Sequence, residues 1–273
     1  MSDLSSITGD IAVVGAGNMG GAILTGLIQA GFTPQRIRVA DPAKAAALAK
    51  QYGVVPANDP GQAVLGASIA IIAVKPPKVH EVVGQMAPHL SPGSLLVSIA
   101  AGIATPDIEA WAQTTTNPTP AVVRATPNTP AKLRQGVTAL ARGSFVSDAQ
   151  MVTAQSVFGA IGAVVTIEES LMPAVSAVSG CGPAYLFLVA EAMTEAGVRL
   201  GLPREAAAKL VNQTFVGSSA LLATGEPPTE LRAQVTSPGG TTAAAIYELE
   251  DRGVRAAFSA AMKATVERSK ELG

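Results

Sequence analysis

The chain holds one cysteine, Cys181, so it cannot close a disulfide within itself, and a lone thiol fits a reducing compartment. Its two histidines, His80 and His89, are too few for a multi-histidine metal site, and no Cys/His cluster exists, so no metal is expected. Neither charge sign dominates. With 19 Lys+Arg against 20 Asp+Glu, neither nucleic acid nor an anionic membrane is an expected partner. No run of about 20 apolar residues stands out, so no membrane span is expected. The first ten residues are polar and lack the apolar core of a secretion signal. These absences point to the cytoplasm. Aromatic residues are also scarce, at 4 %, although 48 % of the chain is hydrophobic and alanine is abundant. Small apolar side chains bury little area each, so a helical half built from them gains by pairing with a second copy.

What is present falls into two patterns. Short apolar runs at residues 11–14, 37–40, 68–74, 95–100, 121–125, 137–141 and 163–167 read as strands. In the first part of the chain they alternate with helix-length segments. That alternation predicts βαβ units and a mostly parallel sheet covered on both faces, an α/β Rossmann domain over residues 1–167. From residue 168 onward helical runs dominate, at 184–200, 204–223, 241–249 and 255–272, which predicts an all-α domain over 168–273.

Gly15-Ala16-Gly17-Asn18-Met19-Gly20 follows the first strand and opens a helix. A lone G-x-G-x-x-G is weak, but this context makes it a dinucleotide site. Gly15 makes the tight turn, Gly17 lets the pyrophosphate approach, and Gly20 permits close helix–strand packing. Asp41, 21 residues after Gly20, ends the second strand. There it can accept from ribose hydroxyls, favouring NAD over NADP, or brace the start of the next helix, and both readings stand. Ala73-Val74-Lys75-Pro76 and Ala101-Gly102 end later strands on the ligand-binding edge, and Asn58 joins them as a candidate cofactor contact. Lys75 faces the cofactor or substrate, or is simply solvated. Arg124 and Asn128 follow on a further strand, Asn128 either touching cofactor or fixing a turn between Pro127 and Pro130.

In the helical half, Cys181 lies in Ser179-Gly180-Cys181-Gly182-Pro183-Ala184-Tyr185 with no histidine nearby to activate it, so it reads as a packed thiol. Ser237-Pro238-Gly239-Gly240-Thr241-Thr242 opens a helix and offers backbone N–H groups to an anion, with glycines that permit close approach. The same residues could equally form an ordinary helix cap.

Ala73-Val74-Lys75-Pro76, Pro127-Asn128-Thr129-Pro130, the 179–185 motif and Val235-Thr236-Ser237-Pro238-Gly239-Gly240-Thr241-Thr242 occur in the order and spacing of pyrroline-5-carboxylate reductases. The chain resembles that family from about Ile11 to Leu272, through the closing Arg268-Ser269-Lys270-Glu271-Leu272. Two departures are Cys181, where serine is usual, and Thr126, where methionine is common. The resemblance implies reduction of L-1-pyrroline-5-carboxylate, a cyclic imino acid, to L-proline with NADPH, or alternatively NADH. It further implies a homodimer, and leaves open whether dimers assemble into larger rings. In that reading Ser237, Gly239, Gly240 and Thr241 hold the substrate carboxylate, and Thr242 is the catalytic contact to the ring nitrogen. Two alternatives remain at this stage. A β-hydroxyacid or 6-phosphogluconate type dehydrogenase would need a catalytic lysine in the helical half, where Lys209 in Ala-rich surroundings is a poor candidate. A non-catalytic dinucleotide sensor would need no carboxylate seat.

Overall fold

A computed structural model describes Leu4 and residues 7–271; part of the polar start and Leu272 lie outside the described residues. The strands are β1 (Asp10–Val14), β2 (Ile37–Ala40), β3 (Val55–Ala57), β4 (Ala67–Ile72), β5 (Leu95–Ser98), β6 (Ala121–Pro127), β7 (Gly136–Arg142) and β8 (Gly162–Thr166). The helices are α1 (Asn18–Gln29), α2 (Ala45–Tyr52), α3 (Pro60–Val64), α4 (Val79–Met86), α5 (Thr105–Ala112), α6 (Asp148–Gly159), α7 (Met172–Val175), α8 (Gly182–Arg199), α9 (Arg204–Leu222), α10 (Pro228–Gln234), α11 (Thr241–Asp251) and α12 (Val254–Glu271).

All eight strands form one sheet in the order β3-β2-β1-β4-β5-β6-β7-β8. Alternate residues of each central strand enter opposite cores, which is why these strands read as unbroken apolar runs. Ile11, Val13, Ile69 and Val97 pack with Ile23, Leu24 and Leu27 of α1 and Phe158 of α6 on one face. Ala12, Val14, Ala70 and Leu96 pack with Val82, Val83 and Met86 of α4 and Ile108 of α5 on the other. Pairing is parallel throughout except between β6 and β7. Only residues 128–135 link those two strands, too few for a parallel crossover. β3 escapes the sequence pattern because it is three residues long and contains Pro56, a residue confined to edges.

The chain forms two compact units, one running to Gly180 and including the segment from Thr265, the other Cys181–Ala264. Strand structure ends at Thr166, but residues just beyond it stay with the sheet. Met172 packs on Ala139 and Ala141 of β7, with Ile167 and Val175 around it.

In the second unit α8 and α9 pack together, and Tyr185 meets the Phe258 ring edge-on at 6.3 Å. This unit has almost no core of its own. Among the described residues α8 buries none, and Phe187 and Leu188 are 68 % and 65 % exposed. The helical stretch Glu169–Arg199 is also long and apolar enough, by length and composition alone, to cross a membrane, and only 11 % of its apolar window is buried within the chain. The sequence expectation of no such run is therefore corrected. Gly180, Gly182 and scattered serines interrupt the apolar letters without interrupting the helical stretch's mean character.

Candidate active site

The parallel strands β1 to β6 end on one edge of the sheet, and the chain order reverses between β1 and β4, where open α/β sheets bind ligands. The turn after β1 is anchored there. Gly15 N–H donates to Ala40 O (2.8 Å), and Ala73 N–H donates to Val14 O (2.8 Å). Gly15 adopts φ +92°, a conformation that disfavours any side chain. A Cβ on Gly20 would lie 2.1 Å from Gly15 O, so the helix start and the turn touch backbone to backbone. A Cβ on Gly17 would meet nothing within 4 Å, so its face is open. Gly17 is also the N-cap of α1, and among the described residues no side chain caps that helix. The first backbone bond of the helix is Gly21 N–H to Gly17 O, which leaves the N–H groups of Asn18, Met19 and Gly20 ahead of the ladder. An open, uncapped helix start beside two close-packed glycines suits a pyrophosphate.

A cleft of about 320 Å³ adjoins this turn, lined among others by Gly15, Asp41, Asn58, Asp59, Val74, Lys78 and Glu81. Asp41 braces the turn into α2 and also holds the glycine turn. Its Oδ2 accepts from Ala16 N–H (2.7 Å), while Oδ1 accepts from Ala43 and Lys44 N–H (3.0 Å each). Asn58 lines the cleft and its N–H donates to Gln62 Oε1 (2.7 Å). Lys75 and Pro76 are exposed at the end of β4, with Ala73 and Val74 half-buried, and Ala101 and Gly102 follow β5 on the same edge.

Asn128 has both ends of its carboxamide engaged by protein. Oδ1 accepts from Val137 N–H (2.9 Å) and Nδ2 donates to Ser179 O (3.2 Å), so the side chain ties β7 to the segment ahead of α8. Thr126 Oγ1 donates to Met172 Sδ (3.5 Å). Cys181 is a half-buried free thiol.

Sequence reading passed over one buried cluster. Glu169 accepts from Thr105 N–H (2.8 Å) and Thr105 Oγ1 (2.6 Å), and Arg124 Nη1 lies 3.5 Å from its carboxylate. Arg124 Nε is buried with no partner among the described residues.

In the second unit, Gly239 takes φ +69° and Gly240 is the N-cap of α11. No side chain caps this helix among the described residues. Its first backbone bond is Ala244 N–H to Gly240 O (3.2 Å), so the N–H groups of Thr241 and Thr242 stand ahead of the ladder. Gly240 N–H itself donates to Ser237 O (3.0 Å), and a Cβ on Gly240 would strike Ser237 Oγ. The glycine is therefore needed for the loop's closure rather than as a free donor.

Comparison with known proteins bears on both units. Residues 169–272 match the pyrroline-5-carboxylate reductase dimerisation family, and residues 10–102 match the family described as NADP oxidoreductase, coenzyme F420-dependent. A pyrroline-5-carboxylate reductase of Corynebacterium melassecola is 42 % identical over 269 residues, covering 96 % of this chain and 98 % of that protein. The structure of a Coxiella burnetii pyrroline-5-carboxylate reductase superposes with TM-score 0.92 at 38 % identity, covering 97 % of this chain and 99 % of that one. A Plasmodium falciparum pyrroline carboxylate reductase structure with NADP bound gives TM-score 0.85 at 29 % identity, over 98 % of this chain and 99 % of that one.

Proposed function

The chain belongs to the pyrroline-5-carboxylate reductase family, and from that membership we propose how its residues share the work. It is an NAD(P)H-dependent oxidoreductase that reduces L-1-pyrroline-5-carboxylate to L-proline, the last step of proline biosynthesis. Function divides the chain at residue 167: residues 1–167 hold the dinucleotide, and 168–273 serve dimerisation and substrate.

The turn at Gly15, Ala16, Gly17, Asn18, Met19 and Gly20 holds the pyrophosphate. The open face of Gly17 and the uncapped start of α1 support this. Asp41 and Asn58 bound the adenosine end, while Ala73, Val74, Lys75, Pro76, Ala101, Gly102 and Asn128 bound the nicotinamide end. Asn128 acts there by fixing backbone, since its own amide is engaged. The bound reduced nicotinamide supplies a hydride to the imine carbon, and the ring nitrogen becomes an amine. A protonated imine already accepts hydride readily, so what the chain must provide is position.

The observation that carries the substrate reading is the uncapped start of α11 behind a left-handed Gly239. Ser237 and the N–H groups of Gly239, Thr241 and Thr242 hold the substrate carboxylate, and Gly240 keeps the loop closed. Thr242 Oγ1 bonds the ring nitrogen. Thr242→Ala is therefore expected to lower kcat about tenfold, a loss of roughly 1–2 kcal/mol. Thr242 is half-buried in the single chain, so the melting temperature should hold within about 2 °C. Thr242→Ser should restore most of the rate. Steady-state kinetics on the three proteins decide it, and parental kcat in the alanine variant would remove Thr242 from the reaction.

The chain is a homodimer through its dimerisation region. A second copy covers the exposed apolar surface of α8, a role that lipid would otherwise have to fill. Glu191 and Glu195 on the same helix, the latter paired with Arg204 (2.6 Å), favour a protein partner over a membrane. Phe187→Asp is expected to shift the protein from dimer to monomer in light scattering, and an unchanged mass would exclude α8 from the contact. Further apolar residues on α9, among them Val216 and Leu221, support association of dimers into larger rings. The free thiol of Cys181 supports a cytoplasmic setting.

A further inference from the structure

The charge lining the adenosine cleft is lopsided. Three carboxylates, Asp41, Asp59 and Glu81, face one ammonium, Lys78, the one cation that lines the cleft among the described residues. That ammonium is already engaged. Lys78 Nζ donates to Glu81 Oε2 at 2.8 Å, and this hydrogen bond raises the lysine's pKa. Asp41 cannot swing aside, because backbone N–H groups from Ala16, Ala43 and Lys44 all donate to it. Asp59 is likewise held as the N-cap of α3 by Gln62 N–H (2.7 Å). Lys44 is exposed on the turn after β2 and does not line the cleft.

We propose that this cleft selects NADH over NADPH by electrostatic rejection of the 2′-phosphate, with Asp41, Asp59 and Glu81 as the residues that set the preference. The inference rests on the reading of the chain as an NAD(P)H-dependent reductase. A phosphate monoester brings about 1.5 to 2 negative charges at neutral pH. It would enter a cleft whose lining already carries two excess negative charges, three carboxylates against one ammonium. A ribose hydroxyl makes the opposite interaction. A carboxylate offers about four lone-pair sites, and three of Asp41's are occupied, leaving room for one hydroxyl donor. Because this repulsion acts between partly exposed charges, salt should screen it.

Dissociation constants for NADH and NADPH, read from nicotinamide fluorescence on the full chain without imine substrate, test this directly. At about 50 mM salt NADH is expected to bind at least tenfold tighter, and the ratio should shrink as salt rises through the Debye regime. Glu81→Gln, which removes one carboxylate and releases Lys78, should narrow the NADH-to-NADPH ratio at least about threefold. Equal or tighter NADPH binding by the parent overturns the preference and leaves the reductase reading intact. So does a ratio unmoved by Glu81→Gln, or NADPH affinity that collapses in Lys44→Ala because Lys44 holds the phosphate. Failure of the folded protein to bind either dinucleotide would overturn both the preference and the reading beneath it.

Discussion

Glu169→Ala is expected to lower the melting temperature by roughly 6–12 °C. The glutamate accepts two bonds from Thr105, one from the backbone at the first turn of α5 and one from the hydroxyl. It also faces the guanidinium of Arg124, a residue only 8 % exposed in the middle of β6. Removing the carboxylate strands that guanidinium, whose Nε already has no partner among the described residues. Breaking a fully buried ion pair by deleting one member costs about 3–5 kcal/mol. Glu169's side chain is 23 % exposed, so water relieves part of that cost and about 3 kcal/mol is the fair expectation. Glu169→Gln keeps the shape and one acceptor and should cost about half as much. The pair Glu169→Leu with Arg124→Met should recover most of the loss, since apolar replacement of both members is often neutral. Thermal unfolding followed by circular dichroism distinguishes these, and a melting point within about 2 °C of the parent in Glu169→Ala would show that the cluster contributes little.

The cluster also marks where sequence stops being legible. Thr105 and Arg124 lie 64 and 45 residues from Glu169, and no local pattern couples them. By contrast, β1, the glycine turn and α1 are contiguous, and each glycine's task follows from its place in the run. Gly31 and Gly53, just past the ends of α1 and α2, take positive φ, a conformation glycine adopts without the strain a side chain would bring. Strand direction was less accessible. The apolar run of β7 looks like its parallel neighbours, and only the short link from β6 forces the reversal. At Asp41 the local pattern showed the brace into α2 but not a second backbone task. One oxygen takes the glycine turn and the other the turn into α2, and a carboxylate has two oxygens to give. The lining of the cleft by Asp59 and Glu81 depends on how α3 and α4 pack, so spacing along the chain gave no hint of it.

Two alanines in the glycine turn should part company. Gly20→Ala places a methyl 2.1 Å from Gly15 O and 3.0 Å from Ala73 Cβ, and neither contact can be relieved by a rotamer change. Gly15 is itself held at φ +92° with Ala73 backbone against its other side, so the strain has nowhere to go without opening the turn from β4. Overpacking of this kind costs about 1–3 kcal/mol, and the melting temperature should fall by roughly 5 °C together with cofactor affinity. Gly17→Ala is different. Its backbone sits at φ −63° and ψ −161°, which an L-residue adopts without strain, and the new methyl meets no protein atom within 4 Å. Stability should therefore hold or rise by a few tenths of a kcal/mol, because alanine restricts the unfolded chain. Yet that methyl fills the open face where the pyrophosphate must approach the uncapped start of α1. The dissociation constant for the dinucleotide should rise at least about tenfold in a protein as stable as its parent. Cofactor titration and a melting curve on the same two samples read both effects, and parental affinity in Gly17→Ala would mean that the phosphates do not cross this turn.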